Sequence, residues 1–267
     1  MPELPEVETI VRQLNQKILN KEIAKAEVFD STVVAPAIKK LKSTTITKIW
    51  RRAKYIVMEL DNHSVILTHL GMTGHFHYLD KKSISNNPER FMVSKLHFSD
   101  GSFLTHNSIR KFGKMKLVNK PQLQEIIARH GPEPLAKDFT VKEFQDILSK
   151  KARANIKTTL MDQSVIAGIG NIYAQEALYY ARISPLRNAG SLSARESRAL
   201  YTRLRHILQL AIKHHGSTVD NYSNLEGSGG FQNYLTVYQQ EKCPQRHVLE
   251  KITIGGRGTS YCPQCQR

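Results

Sequence analysis

The sequence predicts an α+β chain of two domains with a small metal-held tail, on three observations. One amphipathic helical stretch opens the chain and gives way to about a hundred residues of short β-branched and aromatic runs. That strand pattern stops at Gly131-Pro132-Glu133-Pro134, and capped helical segments follow. All three cysteines, Cys243, Cys262 and Cys265, lie in the last segment.

Residues 5–19 read as the opening helix: Pro5 suits a first turn, and Val7, Ile10, Val11, Leu14 and Ile18 recur at helical spacing. Strand-like runs come next, at 26–29, 44–50, 55–60, 65–68, 95–98 and 103–105. Turn signals such as Asp61-Asn62 and Asp100-Gly101 separate several of them. So many short strands after one helix suggest a β-sandwich or barrel. Further on, Thr140 with Glu143 and Ser193 with Glu196 fit capping boxes, so helices start at 141 and 194, the second reaching about His215. Between them the sequence predicts a helix near 153–161, a glycine-broken turn at 167–170 and a helix over 171–181. Strand-like runs return at 234–238 and 251–254, around the cysteines. The expected divisions are 1–132, 133–232 and 233–267.

Composition narrows the function. The 267 residues are 40% hydrophobic and 23% charged, within the ordinary globular range. Against 23 Asp+Glu stand 39 Lys+Arg, a formal charge of +16. A polyanion is the expected partner, nucleic acid foremost, with a ribosome, an anionic membrane or a merely basic surface as alternatives. No apolar stretch is long enough to span a bilayer, and the acidic opening Met1-Pro2-Glu3 is unlike a secretory signal. Three cysteines in one short segment favour a metal site in a reducing cytosol over disulfides.

Four motifs carry candidate chemistry. In the tail, Cys243, His247, Cys262 and Cys265 follow the pattern C-x3-H-x14-C-x2-C, a sound Cys3His set for one tetrahedral zinc. The other reading is a decayed first knuckle with His247 on the surface. Between the knuckles, Gly255-Gly256-Arg257-Gly258 suits a tight hairpin presenting Arg257 to phosphate, or a plain solvated hairpin. Gly168-Ile169-Gly170-Asn171 enters a helix, where exposed N–H groups cradle phosphate, although such glycines also serve turns alone. Lys54, in the quartet Arg51-Arg52-Ala53-Lys54, suits phosphate binding or a solvated strand edge. At the N-terminus, removal of Met1 would expose the secondary amine of Pro2, partly unprotonated at neutral pH, beside the carboxyls of Glu3 and Glu6. By itself an acidic helix start needs no chemistry, since it complements the helix dipole.

These segments together resemble the formamidopyrimidine-DNA glycosylase (MutM) family. The resemblance rests on residues 2–9, 51–55, His69-Leu70-Gly71-Met72-Thr73-Gly74, Arg110-Lys111-Phe112-Gly113, 131–134, 167–174 and 256–259, in family order along essentially the whole chain. It implies an N-terminal helix with a β-sandwich, then a helix–two-turns–helix domain with a zinc-finger hairpin, and double-stranded DNA in the cleft between. The activity implied is base-excision repair of oxidised purines, 8-oxoguanine and formamidopyrimidines, with lyase action at abasic sites and the damaged base flipped out of the helix. Pro2 would attack C1′ and displace the base. The resulting iminium acidifies the 2′ hydrogen and promotes β- and then δ-elimination. Glu3 is similar to the residue that protonates the sugar ring oxygen, and Glu6 to a supporting carboxylate. Lys54, Asn171 and Arg257 match phosphate-gripping positions. Met72, Arg110 and Phe112 match the trio that fills the vacated hole, and the segment 225–231 resembles the loop that closes over the lesion base.

A monomer in the bacterial cytosol is expected. Two other readings are a damage-binding protein without turnover and a pyrimidine-lesion glycosylase of the endonuclease VIII type. The intact Pro2, Glu3 and Lys54 set disfavours the first, and the Leu4-Pro5 opening the second. Departures from the family pattern fall elsewhere. His106-Asn107-Ser108-Ile109 stands where an aspartate is common near Ser108. Arg90-Phe91-Met92-Val93 replaces a histidine-containing stretch, and Arg246 stands where a second cysteine is usual. They bear on DNA grip and opposite-base preference.

Overall fold

The computed structural model describes residues 1–81, 91–218 and 223–267. The chain divides into two compact units, Met1–Ala128 with His215–Gly230, and Arg129–His214 with Phe231–Arg267. The segment 215–230, which the sequence reading places with the helices, thus belongs to the first unit. Arg90 lies outside the described residues.

In the first unit, helix α1 (Leu4–Ile18) starts where expected, with Pro in its first turn and a capping box between Glu3 and Glu6. Its predicted apolar face, Val7, Ile10, Val11, Leu14 and Ile18, is buried in one core with Ile23, Met58, Phe76, Leu96 and Leu104. Each such aliphatic side chain contributes ~1.5–3 kcal/mol of transfer free energy, so this face alone anchors the helix. Eight strands follow among the described residues: β1 (Glu22–Val28), β2 (Thr44–Arg52), β3 (Tyr55–Leu60), β4 (Val65–His69), β5 (Gly74–Leu79), β6 (Met92–Phe98), β7 (Phe103–Ser108) and β8 (Lys114–Val118). Their hydrogen-bonded order is β5-β7-β6-β1-β2-β3-β4-β8. β1 pairs β2 through Glu22 and Ile23, and β6 from Ile23 to Val28. It thereby joins two antiparallel halves that share the core beneath α1, the expected sandwich. Helix α2 (Lys120–Ala128) closes the run, burying only Leu123.

The second unit is helical: α3 (Val141–Lys150), α4 (Ile156–Met161), α5 (Asn171–Tyr180) and α6 (Ala194–Lys213). Thr140 and Ser193 cap α3 and α6 as predicted. Strands β9 (Glu250–Ile254) and β10 (Arg257–Tyr261) form the tail hairpin, and the rings of Phe139, Phe144 and Tyr201 meet edge-on and tilted. One predicted strand of this unit does not form. Residues 234–238 are not a strand: a 3-10 turn at Phe231–Tyr234 leads into backbone whose N–H groups at Thr236, Val237 and Tyr238 all donate to the Glu176 carboxylate. A buried acid on α5 thus does the work of a partner strand. Among the described residues no helix is long and apolar enough to cross a membrane.

Candidate nucleic-acid and catalytic site

The first unit gathers the N-terminal chemistry at the start of α1. Pro2, Glu3 and Glu6 are all buried, whereas Met1 is exposed. The Glu6 carboxylate accepts from Glu3 N (2.9 Å) with one oxygen and from Ser217 N (2.8 Å) with the other. Glu6 therefore braces the backbone beside Pro2 and ties it to the segment after α6. Gly216 makes this approach possible. Its φ is +79°, and a Cβ there would lie 3.0 Å from Glu6 Oε1.

Lys54 occupies the two-residue turn between β2 and β3, where Ala53 has φ +51° and Arg52 pairs Tyr55. It is 5% exposed, not a solvated edge. Arg51 is the residue that holds this turn. Its Nε donates to Glu8 Oε2 (3.0 Å) and its Nη1 to the Ala53 carbonyl (3.0 Å), linking α1 to the turn. Burial pushes the Glu8 carboxyl up, but hydrogen bonds from Arg12 and Arg51 outweigh it and hold Glu8 below the usual carboxylate range. Nothing in the sequence marks this role, because a basic quartet carries no sign of which member turns inward.

Met72, Arg110 and Phe112 come from two loops, between β4 and β5 and between β7 and β8. Gly71, at φ +67°, and Gly113 hold the loops together: a Cβ on Gly71 would lie 2.5 Å from Gly113 N. The Arg110 guanidinium sits 4.9 Å from the Phe112 ring centroid, and its amide donates to Thr73 Oγ1. Phe112 is 59% exposed, an aromatic ring offered to a partner rather than to the core. Beside it, Lys111 pairs with Asp30 at 2.7 Å and holds the Asp30 carboxyl down at about 2.

The glycine-rich segment at 224–230 is pinned at its start. Gln13 donates to Asn224 Oδ1 and Glu226 Oε2 and accepts from Leu225 N, and Leu225 packs on the core. Residues 219–222 lie outside the described residues.

In the second unit, Asn171 opens α5 behind Gly170. Its Nδ2 donates to the Gly258 carbonyl (3.1 Å), while its Oδ1 is buried without a partner among the described residues. The hairpin turn Gly255-Gly256, at φ +57° and +71°, leaves Arg257 exposed one residue before Gly258. Gln175 donates to the Gly258 carbonyl and accepts from Ser260 N, and the buried Lys157 donates to Thr259 Oγ1 at 2.7 Å. Asn171 and Arg257 are thus fixed together by supports that no sequence motif singles out.

Cys243, His247, Cys262 and Cys265 converge, with one ligand atom each, all within 4.8 Å of one another. The Cys243–Cys265 sulfurs stand 3.9 Å apart, and His247 Nδ1 lies 3.3 and 3.6 Å from the sulfurs of Cys265 and Cys262. Tetrahedral bonds of about 2.3 Å to sulfur and 2.0 Å to nitrogen require edges of about 3.5–3.8 Å. The set fits a tetrahedral metal, and His247 takes its place in it.

Comparison with known proteins matches this arrangement. The model of the formamidopyrimidine-DNA glycosylase N-terminal domain matches residues 1–115, and that of the formamidopyrimidine-DNA glycosylase H2TH domain residues 130–223. Curated formamidopyrimidine-DNA glycosylases from Lactobacillus gasseri and Herpetosiphon aurantiacus are each 37% identical over the whole chain, covering 99% and 100% of the relative. Among solved structures, the MutM (Fpg) protein of Thermus thermophilus aligns with a TM-score of 0.89 at 36% identity, covering 99% of this chain and 98% of that one. A Lactococcus lactis Fpg in complex with Fapy-dG-containing DNA aligns with a TM-score of 0.91 at 34% identity, covering 100% of both chains.

Proposed function

Because this chain belongs to the formamidopyrimidine-DNA glycosylase family, we propose that Pro2, freed by removal of Met1, is the nucleophile of its reaction. The protein is a DNA glycosylase of base excision repair that also cleaves abasic sites. Relatives of the same length and fold were solved on DNA carrying Fapy-dG or an abasic site. Its substrate is duplex DNA with oxidised purines.

The observation that carries the assignment to Pro2 is the buried acid pair around it. Glu6 has both oxygens committed to backbone N–H groups, which makes it the brace. Glu3, whose carboxyl accepts from the Glu6 N–H in the capping box, is the acid for the sugar ring oxygen by its match to that position of the family. The Pro2 nitrogen forms a bond to C1′ as the C1′–N bond to the base breaks. Opening of the sugar ring leaves an iminium, whose 2′ proton is lost as the bond from C3′ to its phosphate oxygen breaks. A second elimination releases the 5′ phosphate. Lys54, Asn171 and Arg257 hold the flanking phosphates, and Met72, Arg110 and Phe112 fill the space of the extruded nucleotide. The Cys3His set holds one structural zinc, which supplies no step of the reaction and fixes the base of the hairpin that carries Arg257. The protein works in the cytosol, where thiolate ligands persist.

The test is borohydride trapping on a duplex with one 8-oxoguanine opposite cytosine, using processed protein, its Pro2→Gly variant, and an undamaged duplex. A lesion-dependent covalent adduct, lost or strongly weakened in the variant, is expected. Absence of an adduct from processed protein that binds the duplex would refute the assignment.

A further inference from the structure

We propose that the second unit carries a separate anion pocket, near the C-terminal end of α5, which takes a phosphate-bearing ligand of nucleotide size. The cavity has a volume of about 670 Å³ and is lined by Tyr179, Tyr180, Arg182, Arg203, Gln245 and Arg267, among others. That volume lies within the range of small-molecule sites, ~300–1,000 Å³. Among the described residues no Asp or Glu lines it, and Cys265 of the metal set lies on its wall.

What marks this cavity is that three arginines from separate segments line it together. Two other arginines of the unit are engaged, Arg187 with Glu196 and Arg205 with the carbonyls of Pro134 and Ala136. No side-chain hydrogen bond or ion pair engages Arg182, Arg203 or Arg267 among the described residues. Guanidinium groups collected without a carboxylate side chain repel one another, and a bound dianion removes that cost. Their backbones are nonetheless built in. Arg267 N donates to the Arg182 carbonyl (3.1 Å), and Gln266 Nε2 reaches the Ile183 carbonyl. The Arg267 main-chain oxygen is itself taken up, by Ser184 N (2.9 Å) and Arg187 Nη1 (3.2 Å). Arg182 has φ +58°, the left-handed position just past a helix end that glycine fills most easily. An arginine is held there, on the cavity wall, at a conformational disadvantage.

The pocket is distinct from the phosphate grip already described. Asn171 and Tyr180 are the first and last residues of α5, nine residues or about 13 Å apart along the axis at 1.5 Å per residue. A single phosphate on Asn171 and one beside Tyr180 are therefore separate positions along α5. The ligand class follows from the lining: arginine forks match phosphate oxygens, and Tyr180, 41% exposed and edge-on to Tyr179, offers a ring for a base to stack on. A cavity of this size suits a mononucleotide better than an extended acidic peptide.

Isothermal titration of the metal-loaded full chain with AMP tests the proposal, alongside Arg182→Gly, Arg203→Ala and, as control, Asn171→Ala. Saturable binding is expected, at least tenfold weaker in the two arginine variants and unchanged in the control. Arg182→Gly should keep or raise Tm and keep lesion trapping, which separates lost binding from lost folding. No saturable binding, or equal binding in all variants, would overturn the pocket. Displacement of AMP by a short lesion duplex would overturn its separateness and make it part of the DNA track. Tighter, arginine-dependent binding of hexaglutamate than of AMP would overturn the ligand class and assign the pocket to an acidic protein partner.

Discussion

Replacing His106 by phenylalanine should stabilise the first unit and flatten its response to acid. His106 lies on the core-facing side of β7, 1% exposed, with its ring 5.0 Å from that of Phe76. Neither ring nitrogen has a partner among the described residues. Burial, with a smaller contribution from His75 on β5, lowers its pKa from the ordinary 6.5 to about 3. Ser94 and Phe76 oppose it across β6 and β5, and neither is charged.

The folded chain keeps this imidazole neutral, while the unfolded chain protonates it as pH falls below about 6.5. The folded state is thus destabilised progressively between about pH 6.5 and pH 3. From pH 7 to pH 5 the loss is about 2 kcal/mol, and any folded value below about 4 gives the same figure. Phenylalanine also removes two orphaned polar atoms, each costing ~1–3 kcal/mol when buried, and keeps the contact with Phe76. Denaturant melts of wild type and His106→Phe at pH 7 and pH 5 would measure both effects. The variant should be the more stable at pH 7, and its lead should grow by about 2 kcal/mol at pH 5. A lead that does not grow would refute a neutral, unpartnered His106 and show that it gains a proton or a partner in the folded state.

Two further outcomes follow from the site. Arg51→Ala should slow single-turnover base release about tenfold, a loss of about 1.4 kcal/mol, with duplex affinity little changed. Arg51→Lys should not restore the rate, because one ammonium cannot span Glu8 and the Ala53 carbonyl, and full rescue by lysine would remove Arg51 as the positioning residue of Lys54. Chelation of the metal, or His247→Ala, should abolish stoichiometric zinc and duplex binding together, while near-ultraviolet dichroism of the first unit persists. His247→Cys should keep both, and zinc retained by His247→Ala would exclude the histidine as a ligand.

What is legible in the sequence is local. The opening helix, its apolar face and the caps at Thr140 and Ser193 are written within a few residues of where they act. Strands β5 and β8 and helix α2 escape a pattern reading because their signals are weak: β5 alternates histidines with apolar residues, β8 alternates lysines, and α2 buries one leucine. The run at 234–238 has strand-like composition, yet its N–H groups go to Glu176, about sixty residues earlier. Burial raises that carboxyl's pKa, opposed by the hydrogen bonds from Thr236, Tyr238 and Val237. No window of sequence contains both halves of such an interaction.

The same division runs through the candidate site and has a physical cause. Residues proposed to touch DNA sit where backbone must end or reverse: a helix start at Pro2 and Asn171, a two-residue turn at Lys54, a hairpin tip at Arg257. Such places need glycine, proline or a cap, so they announce themselves. The residues that aim them carry no such mark. Arg51 is three positions from Lys54, but its other anchor, Glu8, is 43 residues away, and Lys157 is 102 residues from Thr259. A motif therefore locates the groups proposed to react, whereas their precision depends on long-range polar contacts that only the folded chain assembles. Substitutions at Arg51, Gln175 and Lys157 should then impair function while leaving every recognisable motif intact.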